Sequence, residues 1–208
     1  MDEYRKILSK YVPENAVLPV IDLLNNYPEL YLKITRARTT KLGDFRIYHA
    51  KKQQITVNHN LNKYQFLLTL LHEIAHFITY KNNGRKVKPH GAEWKLIYGS
   101  LIKEYLNYDA FPENLKDDLY KYANNPKAST SGDGMMFIKL SEYDNDKDER
   151  LKYVLELEKG TIFAMDNGEV YRLGEKRRTR YKCINLKNNK TYLVTQNARV
   201  LPIKNEDL

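Results

Sequence analysis

The segment from Phe66 to Ile78 constrains the fold of this chain more than any other stretch. Its apolar residues recur at the spacing of an amphipathic helix, and its polar residues, among them His72, Glu73 and His76, fall on a narrow stripe. Side chains four positions apart lie one above the other on a helix, so His72 and His76 can reach the same point. The sequence therefore predicts a helix, largely apolar, that carries two imidazoles and a carboxylate.

The order His-Glu-x-x-His in this helix indicates a metal site. Two neutral imidazoles can occupy two corners of a tetrahedral zinc site. Glu73, one position around the helix, can then hold a water molecule instead of binding the metal. The alternative is a pair of core histidines bonded to backbone carbonyls, because the pattern is short. A metal is the stronger interpretation, since polar groups on a buried helix need partners.

A tetrahedral site needs a third protein ligand, and the chain offers few candidates. Glu93 and Glu104 lie in the next helical segment, and one large class of zinc hydrolases takes a glutamate from a later helix. His90 follows a short turn and stands just before that segment, so two packed helices would bring it back toward the first. His90 is therefore favoured. His49 and His59 lie in alternating, strand-like segments and are weaker candidates.

Neighbouring motifs add a family resemblance. The run HEIAHFITY at 72–80 is followed by PHGAEW at 89–94, and the upstream runs at 40–45 and 55–61 fit the same pattern. Together these motifs resemble the SprT-like zinc metalloprotease family, to which the DNA–protein crosslink protease Spartan belongs. The resemblance covers roughly residues 10 to 125.

This resemblance implies both a site and a reaction. The implied zinc ligands are His72, His76 and His90, the implied catalytic carboxylate is Glu73, and the implied supporting residues are Glu93 and Trp94. The implied fold is a zincin-like domain that holds one zinc ion and cleaves proteins associated with DNA or crosslinked to it. Two alternatives stay open: a DNA-binding recruitment protein with a structural or vestigial zinc site, and a zinc peptidase unrelated to DNA. An extended substrate is expected to pair with a strand edge near residues 55–57.

The whole chain predicts an α+β fold in two domains. Residues 1–124 form the predicted catalytic domain, in which an N-terminal helix at 13–27 and three antiparallel strands precede the histidine helix and further helices. Residues 125–134 are rich in Ser, Gly and other turn-forming residues and predict a linker. Residues 135–208 contain short β-prone runs and predict a small basic all-β domain.

Cysteine content distinguishes the C-terminal part from the four-cysteine zinc ribbon of many bacterial SprT-like proteins. Cys183 is the only cysteine, and no histidine follows His90, so a second tetrahedral zinc cage is excluded there. A single cysteine gives no disulfide framework, and the sequence has no long apolar run or signal-peptide core. The expected location is the cytoplasm, including the nucleoid, without a membrane partner.

Charge suggests a partner for the C-terminal part. Residues 159–208 carry 11 Lys and Arg against 5 Asp and Glu, in a chain of formal net charge +9. The densest run interleaves cations with an aromatic ring, a pattern that suits phosphate contacts and base stacking. The candidate DNA contacts are Lys176, Arg177, Arg178, Arg180, Tyr181 and Lys182. The alternative is a solvated basic hairpin that only aids solubility. The pattern does not separate single-stranded from double-stranded DNA.

Overall fold

The computed structural model describes residues 2–38, 40–49, 52–128, 133–145 and 148–203. Residue contacts divide the chain into two compact units, which we call unit 1 (residues 1–128) and unit 2 (residues 129–208). The described residues form six α-helices, a three-stranded sheet and a six-stranded sheet, which confirms the α+β class. None of the described helices is both long and apolar enough to span a membrane.

Unit 1 places two helices before its strands and three after them. The helices are α1 (Asp2–Leu8), α2 (Glu14–Asn25), α3 (Lys63–Asn83), α4 (Ala92–Asn107) and α5 (Glu113–Asn124). The strands are β1 (Leu30–Thr35), β2 (Gly43–His49) and β3 (Lys52–Asn58). Helix α2 lies within the predicted helix at 13–27, whereas α1 is too short to show a periodic pattern.

The sheet of unit 1 is mixed, so the prediction of three antiparallel strands is wrong. Its order is β1-β3-β2, with β1 parallel and β2 antiparallel to β3. Strands β1 and β2 lie on opposite sides of β3 and do not form a hairpin, and we call the connection between them the crossover. The last four residues of β3 are all buried, as expected for a strand covered on both faces. Because β3 has a neighbour on each side, the strand edge expected at residues 55–57 does not exist; the edges are β1 and β2.

Helix α3 forms the centre of unit 1. It contacts β2 and β3 on one side and α4 on the other, and most of its apolar side chains are fully buried. Asn62 caps its first turn, because its side-chain oxygen accepts hydrogen bonds from the backbone N–H groups of Tyr64 and Gln65. The helix ends at Gly84, whose φ is 65°. Asn is favoured at the first of these cap positions and Gly at the second.

Unit 2 contains one helix and an antiparallel sheet. Its elements are α6 (Gly134–Ser141), β4 (Lys152–Tyr153), β5 (Ile162–Ala164), β6 (Val170–Arg177), β7 (Arg180–Asn185), β8 (Thr191–Thr195) and β9 (Arg199–Ile203), in the sheet order β4-β9-β5-β6-β7-β8. Helix α6 contradicts the prediction of an all-β domain. It begins where Asp133 caps the backbone N–H of Met136, within a stretch that composition alone assigned to the linker. Residues 129–132 of that predicted linker lie outside the described residues.

Unit 2 has its own hydrophobic core. The buried residues of this cluster are Val154, Phe163, Tyr171, Leu173, Tyr181, Cys183, Val194 and Val200, and the buried polar residues of the unit are Ser141, Asn185 and Gln196. The single thiol is part of this core, since Cys183 has no exposed surface. Among the residues of unit 2 that the structure describes, no three His, Cys, Asp or Glu side chains converge as metal ligands would.

Candidate metal centre

Three imidazoles meet in unit 1. The Nε2 atom of His76 lies 3.2 Å from that of His72 and 2.9 Å from that of His90, and the third pair is 3.3 Å apart. Over the described ranges of the chain, no other group of three or more His, Cys, Asp or Glu side chains converges in this way. Two of these rings come from consecutive turns of α3, and the third comes from the loop between α3 and α4.

His90 has an unusual backbone conformation. Its φ is 58°, in the left-handed region that costs a non-glycine residue roughly 1–2 kcal/mol. The backbone N–H of Gly91 donates to the carbonyl oxygen of Lys88 at 2.9 Å and closes a tight turn around this residue. A strained backbone at a functional side chain is a recurring feature of binding sites. No sequence pattern indicated this backbone conformation, although the sequence favoured His90 as the third ring.

Trp94 forms one wall of the cluster. This fully buried indole lies 4.7 Å from the ring of His72, 5.3 Å from that of His76 and 4.7 Å from that of His90, between ring centres. Its Nε1–H also donates to the backbone carbonyl oxygen of His72 at 3.4 Å. Glu93, its neighbour in the first turn of α4, is exposed and outside the converging group. The structure thus shows contacts for Trp94, while the supporting role of Glu93 stays a prediction.

Burial keeps the imidazoles neutral. It lowers the pKa of His72 to about 3 and that of His76 to about 4, with neighbouring rings adding to the effect, and it also lowers the pKa of His90. Neutral imidazole is the form that binds metals. In the tautomer that binds a metal through Nε2, three lone pairs this close together would repel, and a cation between them would remove the repulsion.

Glu73 lies beside the cluster but points toward the sheet. Its side chain is 7% exposed and lies against Gly43, the first residue of β2. Burial raises its pKa to about 8, and the carboxylate of Asp44 adds to this, while Arg38, Lys41 and a hydrogen bond from the backbone of Phe45 lower it. A cation bound by the imidazoles would lower the pKa of Glu73 and favour its ionised form.

The donor set fits zinc. Nitrogen ligands at the usual zinc distance sit about 3.3 Å from one another in a tetrahedron, close to the separations of the three Nε2 atoms. Three neutral imidazoles are a common catalytic zinc set, which leaves one position free. The structure therefore brings together the three imidazoles that the sequence and the family resemblance selected, with Glu73 adjacent and unliganded.

The other ligand candidates lie elsewhere. Glu104 is exposed and accepts a hydrogen bond from the hydroxyl of Tyr108. His59 is exposed in the turn after β3. The side chain of His49 lies outside the described residues. The converging group therefore includes neither His59 nor Glu104.

The predicted DNA contacts fall on one hairpin of unit 2. Strands β6 and β7 pair through Arg177 and Arg180, and Arg178 stands between them at the turn with a φ of 47°. The cationic side chains of the run are exposed, namely Lys176, Arg177, Arg178, Arg180 and Lys182. The hairpin therefore carries five exposed cations within seven residues.

The ring of Tyr181 is largely covered in this structure, and its predicted nucleic-acid contact stays a prediction. The residue is 9% exposed and belongs to the core of unit 2, because alternate residues of β7 face inward. The ammonium of Lys176 covers its ring at 5.6 Å from the ring centre. Leu193 of β8 is a surface residue that the sequence did not indicate. The strand register places it directly beside Lys182, and it is 53% exposed.

Comparison with known proteins finds a family match within unit 1. The sequence profile of the SprT-like family matches residues 14–114, which contain the three converging histidines, Glu73 and Trp94. No curated protein matches the chain, and no solved structure does. The matched segment runs from the start of α2 into the first turn of α5, so it includes every element that builds the cluster. Over residues 14–114, which are just under half of the chain, the sequence is similar to the SprT-like family.

Proposed function

We propose that this protein is a zinc-dependent endopeptidase of the SprT-like type. The observation that carries the proposal is the convergence of three Nε2 atoms beside a buried carboxylate that is not part of the converging group. A site that only stabilises the fold has no use for an unliganded Glu73 next to an open ligand position. The family match is consistent with this chemistry.

The residues of the site suggest a division of labour. A zinc ion held by the three imidazoles supplies a Lewis acid and lowers the pKa of coordinated water to about 7. Glu73 accepts the proton of the attacking water at a carboxylate oxygen and then passes it to the leaving amine nitrogen. Trp94 holds the rings of His72 and His90 through edge-to-face contacts and keeps solvent away from them.

Strand β2 is the edge that fits an extended substrate. It is an edge of the sheet, and its first residue lies against Glu73. A peptide that pairs with this edge would align its backbone beside the carboxylate without requiring particular side chains. This arrangement suits an endopeptidase of broad sequence preference. In this proposal, strand β2 replaces residues 55–57 of β3 as the edge that binds the substrate.

The basic hairpin of unit 2 supports a DNA partner, and we include this partner in the proposal. Arg177, Arg180 and Lys182 lie on one face by register and alternation, and none of the three has an ion pair among the described residues. Clustered cations of this kind bind phosphates by releasing counterions. The proposed substrates are therefore proteins bound or crosslinked to DNA.

One experiment tests both halves of the proposal. Cleavage of a basic DNA-binding protein is measured with and without DNA, for the wild type and for Glu73→Gln, after metal analysis of each. The expected result is one zinc per chain in both proteins, DNA-stimulated cleavage by the wild type, and a loss of at least about 10³-fold in Glu73→Gln.

Each other outcome selects an alternative. Salt-sensitive DNA binding without cleavage would identify a recruitment protein with a structural or vestigial zinc site. Cleavage that is indifferent to DNA would identify a zinc peptidase unrelated to DNA. Full cleavage by Glu73→Gln would contradict the role of this carboxylate.

A further inference from the structure

Asn58, the last residue of β3, holds the crossover that leads into β2. The residue is 1% exposed. Its Oδ1 accepts hydrogen bonds from Arg38 Nε at 2.8 Å and from Thr35 Oγ1 at 3.4 Å. Its Nδ2 donates to the carbonyl oxygens of Arg38, at 3.2 Å, and Lys41, at 2.9 Å. The amide thus uses both donors and both lone pairs, which is its full capacity.

Arg38 also forms hydrogen bonds that hold the crossover. Its Nη1 donates to Thr56 Oγ1 at 3.1 Å and its Nη2 donates to the carbonyl oxygen of Leu42 at 3.5 Å. The backbone N–H of Asn58 also donates to Leu42 at 2.9 Å. Since a planar guanidinium presents its donors in a fixed fork, these bonds set the position of the crossover and its orientation. We call Asn58 and Arg38 the crossover clamp.

The crossover delivers Gly43 to the candidate metal centre. A Cβ atom built on this glycine would lie 2.6 Å from Glu73 Oε1, 2.8 Å from Glu73 Cγ and 2.7 Å from Thr69 Cγ2. A side chain at this position would have to push Glu73 or Thr69 aside, so the bare backbone of β2 forms the surface against which the carboxylate rests. The backbone of Phe45, two residues on, makes a hydrogen bond to the same carboxylate.

We propose that the crossover clamp positions Glu73 for catalysis by fixing the start of β2. This inference rests on the proposed peptidase function and deepens it. Glu73 reaches the metal centre through three rotatable bonds, and a carboxylate with that freedom needs a fixed surface to hold one orientation. None of the hydrogen bonds of Asn58 and Arg38 described above goes to the imidazoles or to Glu73, so both are positioning residues. The charge of Arg38 also lowers the pKa of Glu73, so Asn58→Ala is the variant that isolates positioning.

The kinetic test uses Asn58→Ala and Arg38→Met, the second of which keeps an apolar stem. We expect kcat to fall by about 10- to 100-fold, with KM and the zinc content per chain unchanged, because the carboxylate is misplaced while the imidazoles are not. The matched control is Asn185→Ala in unit 2. Asn185 is equally buried and also fixes a turn, through bonds from the backbone of Lys187 and Asn188, and its loss should leave kcat unchanged.

A double-mutant cycle separates positioning from general destabilisation. Gly43→Ala should reduce kcat by itself, because the new methyl group pushes Glu73 aside. If the clamp acts through Gly43, the double variant of Gly43→Ala with Asn58→Ala loses no more activity than the worse single variant. Losses that multiply, or losses explained by missing zinc or unfolded protein, would overturn the proposal.

Hydrogen exchange gives a reading that does not depend on catalysis. In zinc-loaded protein, the amides of residues 42–46 should exchange faster in Asn58→Ala and Arg38→Met than in the wild type or Asn185→Ala. If the wild type cleaves nothing, the peptidase proposal fails, and the crossover clamp is then tested by hydrogen exchange alone. Unchanged exchange at these amides in both variants would overturn the clamp even if the protein proved to be an active peptidase.

Discussion

The two units differ in the polar groups that they bury. Unit 1 brings three half-buried imidazoles together beside a buried carboxylate, whereas the buried polar residues of unit 2 are the uncharged Ser141, Asn185 and Gln196, and its hydrophobic core adds one thiol. Burying polar groups is unfavourable unless they are paired. We infer that unit 1 depends on a bound cation for part of its stability and that unit 2 does not.

The chain carries a built-in probe for each unit. Trp94 is the only tryptophan and lies in unit 1 against the three imidazoles. Cys183 is the only cysteine and lies in the core of unit 2. Indole fluorescence therefore follows unit 1, and the rate at which a thiol reagent labels Cys183 follows the opening of unit 2.

Zinc removal is expected to give the largest difference between the units. A ligand that binds only the folded state adds about 4 kcal/mol at a free concentration about 1,000 times its Kd. Chelation should therefore lower the free energy of unfolding of unit 1 by about that amount, measured by Trp94 fluorescence in a denaturant titration. Labelling of Cys183 should keep its midpoint. Equal shifts in both probes would show that the two units unfold together and would break the comparison.

Truncation of the core of unit 2 should produce the reverse pattern. Leu173 is buried and pairs with Cys183 across β6 and β7. Leu173→Ala should lower the free energy of unfolding of unit 2 by about 3 kcal/mol, because it removes buried methyl groups and leaves a cavity. Thiol labelling should shift to lower denaturant, while zinc content and the Trp94 transition stay unchanged. Loss of zinc in this variant would mean that the metal centre depends on unit 2.

The sequence predicted those parts of the site that depend on local periodicity. His72, Glu73 and His76 lie within two turns of one helix, so their common region follows from 3.6 residues per turn. His90 followed from a short turn between two helices and from the family resemblance. The ends of α3 are local features of the same kind, because Asn62 and Gly84 are caps that act within one turn.

Features set by distant parts of the chain could not be predicted in this way. The parallel pairing of β1 with β3 depends on a crossover that leaves no periodic signal. The close approach of Gly43 to Glu73 joins residues 30 positions apart and appears only in three dimensions. Tyr181 was assigned to the surface because charged neighbours surround it, but strand alternation turns it into the core. Composition reports the surroundings of a residue and not the face on which it lies.

A smaller effect is expected at the wall of the metal centre. Trp94→Phe keeps an aromatic ring but loses the indole N–H that bonds to the carbonyl of His72. Zinc affinity, measured by competition with a chromophoric chelator, should fall by about tenfold, as is typical for groups that orient metal ligands. Tyr98→Phe is the matched control. Its hydroxyl bonds to the carbonyl oxygen of Leu68 instead, so its loss should cost about 1 kcal/mol of stability without changing zinc affinity. Equal affinities in Trp94→Phe and the wild type would show that packing alone orients the rings.

The smallest expected effect concerns a feature that the two units share. Each holds a non-glycine residue in the left-handed region at its proposed functional site, His90 in unit 1 and Arg178 in unit 2. Arg178→Gly should relieve this strain and stabilise unit 2 by about 0.5 kcal/mol, after the entropy cost of glycine is subtracted. It should also weaken DNA binding and lower the slope of log affinity against log salt by about 1, because one phosphate contact is lost. Asn189→Gly, at a φ of 56° in the next turn, changes the backbone in the same way without removing a charge. If both variants bind DNA like the wild type, Arg178 makes no phosphate contact. The left-handed backbone of Arg178 would then serve no binding function, unlike the one proposed for His90.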